Sequence, residues 1–439
     1  MWKWLLRLLG KGGTETRSER AQAQTTAPEK PTGAASTVSP ASKTPAGDPA
    51  QQVLRRPLLQ RDGSLAGFEH SIAHSGDGSA PTPLPQAHAL LTAMGFTAAS
   101  GRRALTVLDS AWLADPQVQS LIQPGMMFGL RDNPFKRADS EALLAQLRRR
   151  GAVLGSTGLP RAGAAFVVFD AAGLERQALL DRARACAAAA PSAHVLATGI
   201  RTLDDLEAAL RGGYEMAAGL FDRVGARQES GSLAPNIQRI CRLINRVMSD
   251  ADTGPIAEEI RGDVGMTYRM LRHANSPLLG LTRTVDSVDQ ALQLMGRQAL
   301  YRWLTTLLVA SANSRHTSLA LQEITLARAR MMELMAPAVD APPAALFTTG
   351  LLSLLDVMLE VPMAQALAPL SLPPQAHAAL VEQTGPWRPL LDVARCLESG
   401  LTEQAQSHAQ FLGGLDAVGP AMTEAWRWAA QVTASLKHT

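Results

Sequence analysis

The sequence predicts an α/β first half followed by an all-α second half. Three observations predict it. Short apolar runs alternate with helical runs from Val53 to Val224. The strand-like runs fade beyond a Gly231–Pro235 linker. Hydrophobic residues make up 46% of the 439 residues while aromatics make up 4%, an Ala- and Leu-rich mix that favours helix.

The strand-like runs of the first half are Ala104–Leu108, Met126–Leu130, Ala164–Phe169 and His194–Thr198. Helical runs separate them at Ser140–Arg150, Gly173–Ala190 and Leu203–Arg211. Such alternation predicts parallel β/α units, and Gly151 stands where a helix-ending glycine belongs. Complete eight-unit barrels take about 250 residues, and this region has about 170. The expectation is therefore an abbreviated or incomplete (β/α) barrel over residues 53–230.

In the second half, residues 235–435, Asp263 is placed to cap a helix whose stripe is Val264, Tyr268, Leu271 and Ala274. That helix should end at Asn275, before Ser276–Pro277, with Asn275 in the left-handed conformation. Ser287–Gln290 reads as a capping box, with Val288, Ala291, Leu292 and Met295 on one face. Gly296 lets that helix end or kink. Arg297, Arg302, Arg328 and Arg330 read as a solvated helix face, and Tyr301 and Trp303 as core.

Residues 1–52 read as a short amphipathic start and a linker. Trp2, Trp4, Leu5, Leu6 and Leu9, beside Lys3 and Arg7, suit weak contact with a membrane surface, against the plainer reading of a frayed helix. Lys11–Gln52, rich in Thr, Ala, Pro, Ser and Gly, reads as a disordered tether, and His74–Pro85 as a loop. No run reaches the roughly 18 apolar residues a membrane span needs. Three cysteines, with no CxxC pair, suggest neither a zinc ribbon nor a disulfide framework. The expected location is the cytoplasm, with a peripheral place at the inner membrane as an option. A net charge of +3 gives no reason to expect nucleic acid. There is no GxSxG, Walker loop or GxGxxG.

Asp263–Gly296 reads DVGMTYRMLRHANSPLLGLTRTVDSVDQALQLMG. It resembles the core of HDOD domains at Asp263, Asn275–Ser276, Gly280, Ser287–Val288, Ala291 and Met295–Gly296. Phe347–Asp356 and Leu390–Gly400 are similar to the region that follows when this domain trails a cyclic-di-GMP phosphodiesterase (EAL) barrel. The chain therefore resembles an EAL–HDOD fusion, which implies an HD-like helical fold. The catalytic HD relatives need an adjacent His-Asp pair, and none of the nine histidines is followed by Asp.

The first half resembles EAL barrels at Arg56–Leu58, at Gly67–Glu69 and from Thr202 to Phe221. The resemblance implies two divalent metals held by carboxylates and an Asn. Glu69 stands at the signature glutamate and Asp170 is retained. Leu108, Gly129, Thr157–Gly158, Val168 and Thr198 stand where the family has Asn, Glu, Asp-Asp, Lys and Glu. Ala73 stands where a phosphate-contacting Arg belongs. Asp204–Asp205 suits a helix N-terminus instead. The expectation is thus a degenerate barrel, with Glu69 and Asp170 vestigial, no metal and no cofactor. The chain is expected not to be an enzyme but a signalling scaffold or adaptor with protein partners. The alternative is a sensor that binds cyclic-di-GMP or another nucleotide without hydrolysis; an active phosphodiesterase ranks below both.

Overall fold

The computed structural model describes residues 53–72, 83–221, 232–249, 252–275, 284–399 and 402–437. Eight strands close a barrel in the order β1 to β8. They are β1 (Val53–Gln60), β2 (Leu65–Ile72), β3 (Arg103–Leu108), β4 (Met126–Leu130), β5 (Val153–Thr157), β6 (Phe166–Asp170), β7 (His194–Ile200) and β8 (Met216–Gly219). β1 pairs antiparallel with both β2 and β8, and every other neighbouring pair is parallel.

The barrel is closed, not incomplete. It fits a short chain because β1 turns directly into β2, and because β5 reaches β6 without a helix. The helical runs stand at Glu141–Arg149, Arg176–Ala189 and Leu203–Arg211. A further helix, Pro83–Ala99, begins inside the stretch read as a loop. β5 had no apolar run of its own, since Gly155, Ser156 and Thr157 dilute it.

Beyond Ala234 the described chain is helical, from Pro235–Met248 to Leu415–Lys437. Asp263 caps Val264–Ala274 by accepting from Met266 N, and Ser287 caps Val288–Ser311 by accepting from Gln290 N. Gln290 Oε1 answers with a bond from Asp286 N at 3.1 Å. Val288, Ala291, Leu292 and Met295 are buried as expected. Gly296 breaks the helix at φ 71°, ψ 169°, outside the range a side chain tolerates.

Three expectations here are corrected. Asn275 is right-handed (φ −83°, ψ −1°). It closes the helix with its side chain, accepting from Val285 N at 2.7 Å and donating to Val285 O at 2.8 Å. The buried stripe of its helix is Met266, Met270 and Ala274, while Val264 and Tyr268 are 85% and 63% exposed. Both stripes have helical spacing, so periodicity alone could not choose between them. Arg328 and Arg330 are buried, not solvated. Arg328 forks onto Glu398 at 3.0 and 2.5 Å, and Arg330 pairs with Glu333 at 2.7 Å.

The two halves share one apolar core. Leu59, Leu65 and Phe68 of the hairpin belong to the same buried cluster as Trp426 and Trp428 of the last helix. Phe68 meets Trp426 edge-on at 4.9 Å, and the Arg55 guanidinium lies 3.5 Å from the Phe68 centroid. Helices of the second half thus cover the part of the outer face of β1 and β2 that holds Leu59, Leu65 and Phe68, and helix Pro83–Ala99 meets the rest at His70. Ion pairs fix the contact. Arg102 pairs with Glu323, and Arg315 reaches Asp204 at 2.5 Å and Glu207 at 3.2 Å. Glu207 Oε1 also accepts from Thr317 Oγ at 2.7 Å. At the β1–β2 turn Gly63 has φ 77°, and a Cβ there would lie 2.0 Å from the His316 carbonyl oxygen.

Candidate functional site

The parallel strands put their C-terminal ends at one mouth of the barrel, where such folds place their chemistry. Side chains alternate in and out along each strand. Leu58, Leu105, Met127, Phe166, Leu196 and Met216 fill the interior as one cluster. Nearer the mouth, Val107, Gly129 and Val168 meet. A Cβ on Gly129 would lie 2.6 Å from Val168 Cγ1 and 3.3 Å from Val107 Cγ2. With Val168 in place, position 129 has no room for a glutamate.

Arg56 and Glu69 are direct cross-strand partners, so both point to one face. Their side chains are 3.7 Å apart, an ion pair too long for a hydrogen bond. Glu69 is buried, and its Oε2 has no hydrogen-bond partner among the described residues. Burial pushes its carboxyl above the usual range, Arg56 pulls the other way, and Asp170 adds to the rise. Asp170 ends β6 opposite Thr198 and accepts from Ala172 N at 2.9 Å. Beside Glu69, His70 points outward to Thr97 Oγ at 3.2 Å. Burial and Arg55 hold it neutral, with its pKa lowered to about 3.

The structure therefore brings Glu69 and Asp170 to one mouth. It moves one expected position. Leu108 packs outward with Leu90 and Leu91, so its apolar character says nothing about the mouth. Leu105 and Val107 face inward, and the next inward position is Asp109, still extended at φ −83°, ψ 143°. Sequence reasoning missed Asp109 and gave Arg56 no role. Alternation with Leu58 on β1 would have placed Arg56 inside.

The two divalent metals implied by the resemblance do not fit this donor set. Among the described residues no group of three or more His, Cys, Asp or Glu could hold a metal ion. Gly129, Val168 and Thr198 offer no carboxylate.

The HDOD-like positions are structural where they are described. Asp263 and Ser287 cap helices, Asn275 ties two segments, Ala291 is buried and Gly296 forms the break. Ser276 and Gly280 lie outside the described residues, as do Ala73, the Gly231 end of the linker and Trp2, Trp4, Leu5, Leu6 and Leu9. Among the described residues no helix is long and apolar enough to cross a membrane. Asp204 and Asp205 do open a helix, and each also holds an arginine, Arg315 and Arg176 respectively.

The HDOD domain family matches residues 231–367. The helical half carries an HDOD domain. The cyclic di-GMP phosphodiesterase CdgJ of Vibrio cholerae is 27% identical over 241 residues, 54% of this chain and 56% of that protein. The uncharacterized protein YuxH of Bacillus subtilis is 24% identical over 208 residues, 46% of this chain and 51% of that protein. The chain spans about half the length of the curated relatives it matches. Among solved structures, the EAL domain of Mycobacterium smegmatis DcpA aligns at a TM-score of 0.30 and 12% identity, over 38% of this chain and 89% of that one. Klebsiella pneumoniae BlrP1 aligns at 0.30 and 14%, over 40% of this chain and 56% of that one. A closed barrel followed by a helical half that matches the HDOD family is the arrangement expected of an EAL–HDOD fusion.

One expectation is overturned. The chain was expected not to be an enzyme, yet its relative CdgJ is named a phosphodiesterase. The physical reason lies partly in the register of β3. Counting lost ligands on the sequence included Leu108, which faces away from the mouth, and left out Asp109.

Proposed function

We propose that this chain is a cyclic-di-GMP signalling protein whose barrel takes the dinucleotide at its mouth while its HDOD half serves as an adaptor for a protein partner. The observation that carries it is the mouth itself. Arg56, Glu69 and Asp170 gather at the C-terminal end of a closed barrel, and Arg56 and Glu69 stand on the two strands that the helical half packs against from outside. Arg56 is 28% exposed there, available to a phosphate oxygen in the way guanidinium groups favour. The phosphodiesterase name of CdgJ supports the choice of ligand. The packed joint between the halves supports the adaptor role, because packed side chains can carry a binding event at the mouth into the helical half.

The test is calorimetric titration of the full chain with cyclic-di-GMP, with and without Mg²⁺, followed by chromatography of the nucleotide. Binding heat that Arg56→Gln weakens is expected, and chromatography then reads directly whether the nucleotide is hydrolysed. No heat together with intact nucleotide would remove the barrel from the dinucleotide circuit.

A further inference from the structure

A second concave site lies in the helical half. It is a cavity of about 480 Å³, within the range of small-molecule sites, and Phe221, two residues beyond β8, forms part of its wall. Its basic side carries Arg328, Arg388 and Arg395. Arg388 and Arg395 stand two turns apart on the Arg388–Ser399 helix, with Leu391 between them on the same face. Arg328 is held by Glu398 and by Ser353 at 3.1 Å, and Arg388 by Asp392 at 2.6 Å and by the Ala379 carbonyl at 3.3 Å, so both are oriented before any ligand arrives and offer it only their remaining N–H groups. Two carboxylates line the cavity, Asp356 and Glu398, and Glu398 is already engaged by Arg328. Val357, Met363 and Leu380 add apolar groups to the lining, and Gln383 and Ser353 polar ones. Guanidinium groups and apolar side chains lining one cavity suit an anionic phosphate joined to a less polar body.

We infer that this cavity binds a phosphate monoester of mononucleotide size, with Arg388 and Arg395 on the phosphate and the apolar side chains of the lining on the body of the ligand. The site has a route to the barrel mouth. Ser399 lines the cavity, and its carbonyl oxygen accepts from Arg56 Nε at 3.4 Å. Arg56 is the residue that pairs with Glu69. A ligand that orders the end of the Arg388–Ser399 helix therefore steadies β1 and β2. The binding claim is independent of the proposed function, because it is read at the cavity and not at the mouth.

The experiment is calorimetry of the full chain with two probes, 5′-AMP and inorganic phosphate. AMP is expected to bind, and phosphate to bind at least about tenfold more weakly. Arg395 is exposed, so Arg395→Gln should leave the fold intact while weakening AMP by at least about tenfold. Equal affinity for both probes overturns the mononucleotide assignment. No heat at millimolar AMP overturns the site, as does AMP binding that ignores both Arg395→Gln and Arg388→Gln. Displacement of AMP by cyclic-di-GMP would make the cavity part of the dinucleotide site and overturn the assignment too. For the route, hydrogen exchange of the Leu65–Ile72 amides should slow with AMP in the native chain and not in Arg56→Gln. Unchanged exchange at saturating AMP would sever the cavity from the mouth.

Discussion

Glu69 shows what a single buried charge costs and what removing it does. Its carboxyl is buried, its native pKa is raised, and Arg56 compensates only from 3.7 Å. An acid with a raised native pKa is stabilising below its unfolded value, and that share is lost as pH rises through the native value. Glu69→Gln keeps the shape and drops the charge. The variant should match the native chain in acid and equal or exceed it at pH 7, by about 1 kcal/mol. Urea unfolding at the two pH values measures this; a variant less stable at pH 7 would mean that Glu69 is held by more than Arg56. Arg328 is the opposite case, a buried charge with a full partner. Arg328→Met leaves Glu398 buried and alone, so a loss of about 3–5 kcal/mol is expected. The pair Arg328→Met with Glu398→Leu should recover most of it. Equal losses in the single and double variants would show that packing, not charge, sets the cost. Glu69 was legible in the sequence because the strand around it carries the Gly67–Glu69 signature. The burial of Arg328 was not, since an arginine at helical spacing looks the same whether its face meets water or another helix. Its partner lies 70 residues away, at Glu398.

At the scale of elements, the helix ends were legible and the faces between them were not. Asp263 and Ser287 cap through local side-chain bonds that depend on a residue three positions on, so the sequence carries them whole. The buried face of Val264–Ala274 depends on which neighbours arrive, and the Met266 stripe prevailed over the Val264 stripe. Asn275 shows the same division. Its place at the helix end was readable, but its role needs Val285, ten positions on. It donates to both Leu271 O and Val285 O and accepts from Val285 N. Asn275→Ala removes all three bonds and frees two segments of backbone. A loss of about 2 kcal/mol is expected, with Asn275→Asp keeping the acceptor half and losing less at neutral pH. Thermal unfolding of the two variants decides it. An alanine variant as stable as the native chain would show that the Val285 segment is held by its burial instead.

The whole molecule turns on the face of the barrel that the barrel does not cover. β1 passes into β2 through a turn, and helix Pro83–Ala99 of the first half meets their outer surface at His70 and at the Val53–Ile72 end. Leu59, Leu65 and Phe68 nevertheless have almost no exposure, because helices of the second half pack there. Charge follows the same plan. Arg315 is buried and serves Asp204 and Glu207 across the joint, and Arg102 serves Glu323. Cutting the chain between Phe221 and Leu233 would expose an apolar strip large enough to drive association, and would leave Glu207 with Arg211 at 3.7 Å and Arg102 with the Leu65 carbonyl, each without its partner across the joint. Residues 53–231 alone are therefore expected to aggregate, or to unfold without a cooperative transition, while the full chain melts as one unit. Scanning calorimetry and sedimentation of the two chains test this. A monomeric, cooperatively melting barrel would mean that the joint is an added contact rather than part of the barrel's own core. It would then also weaken the route from the cavity to Glu69, because a β1–β2 hairpin stable by itself has little to gain from order arriving through Ser399 and Arg56.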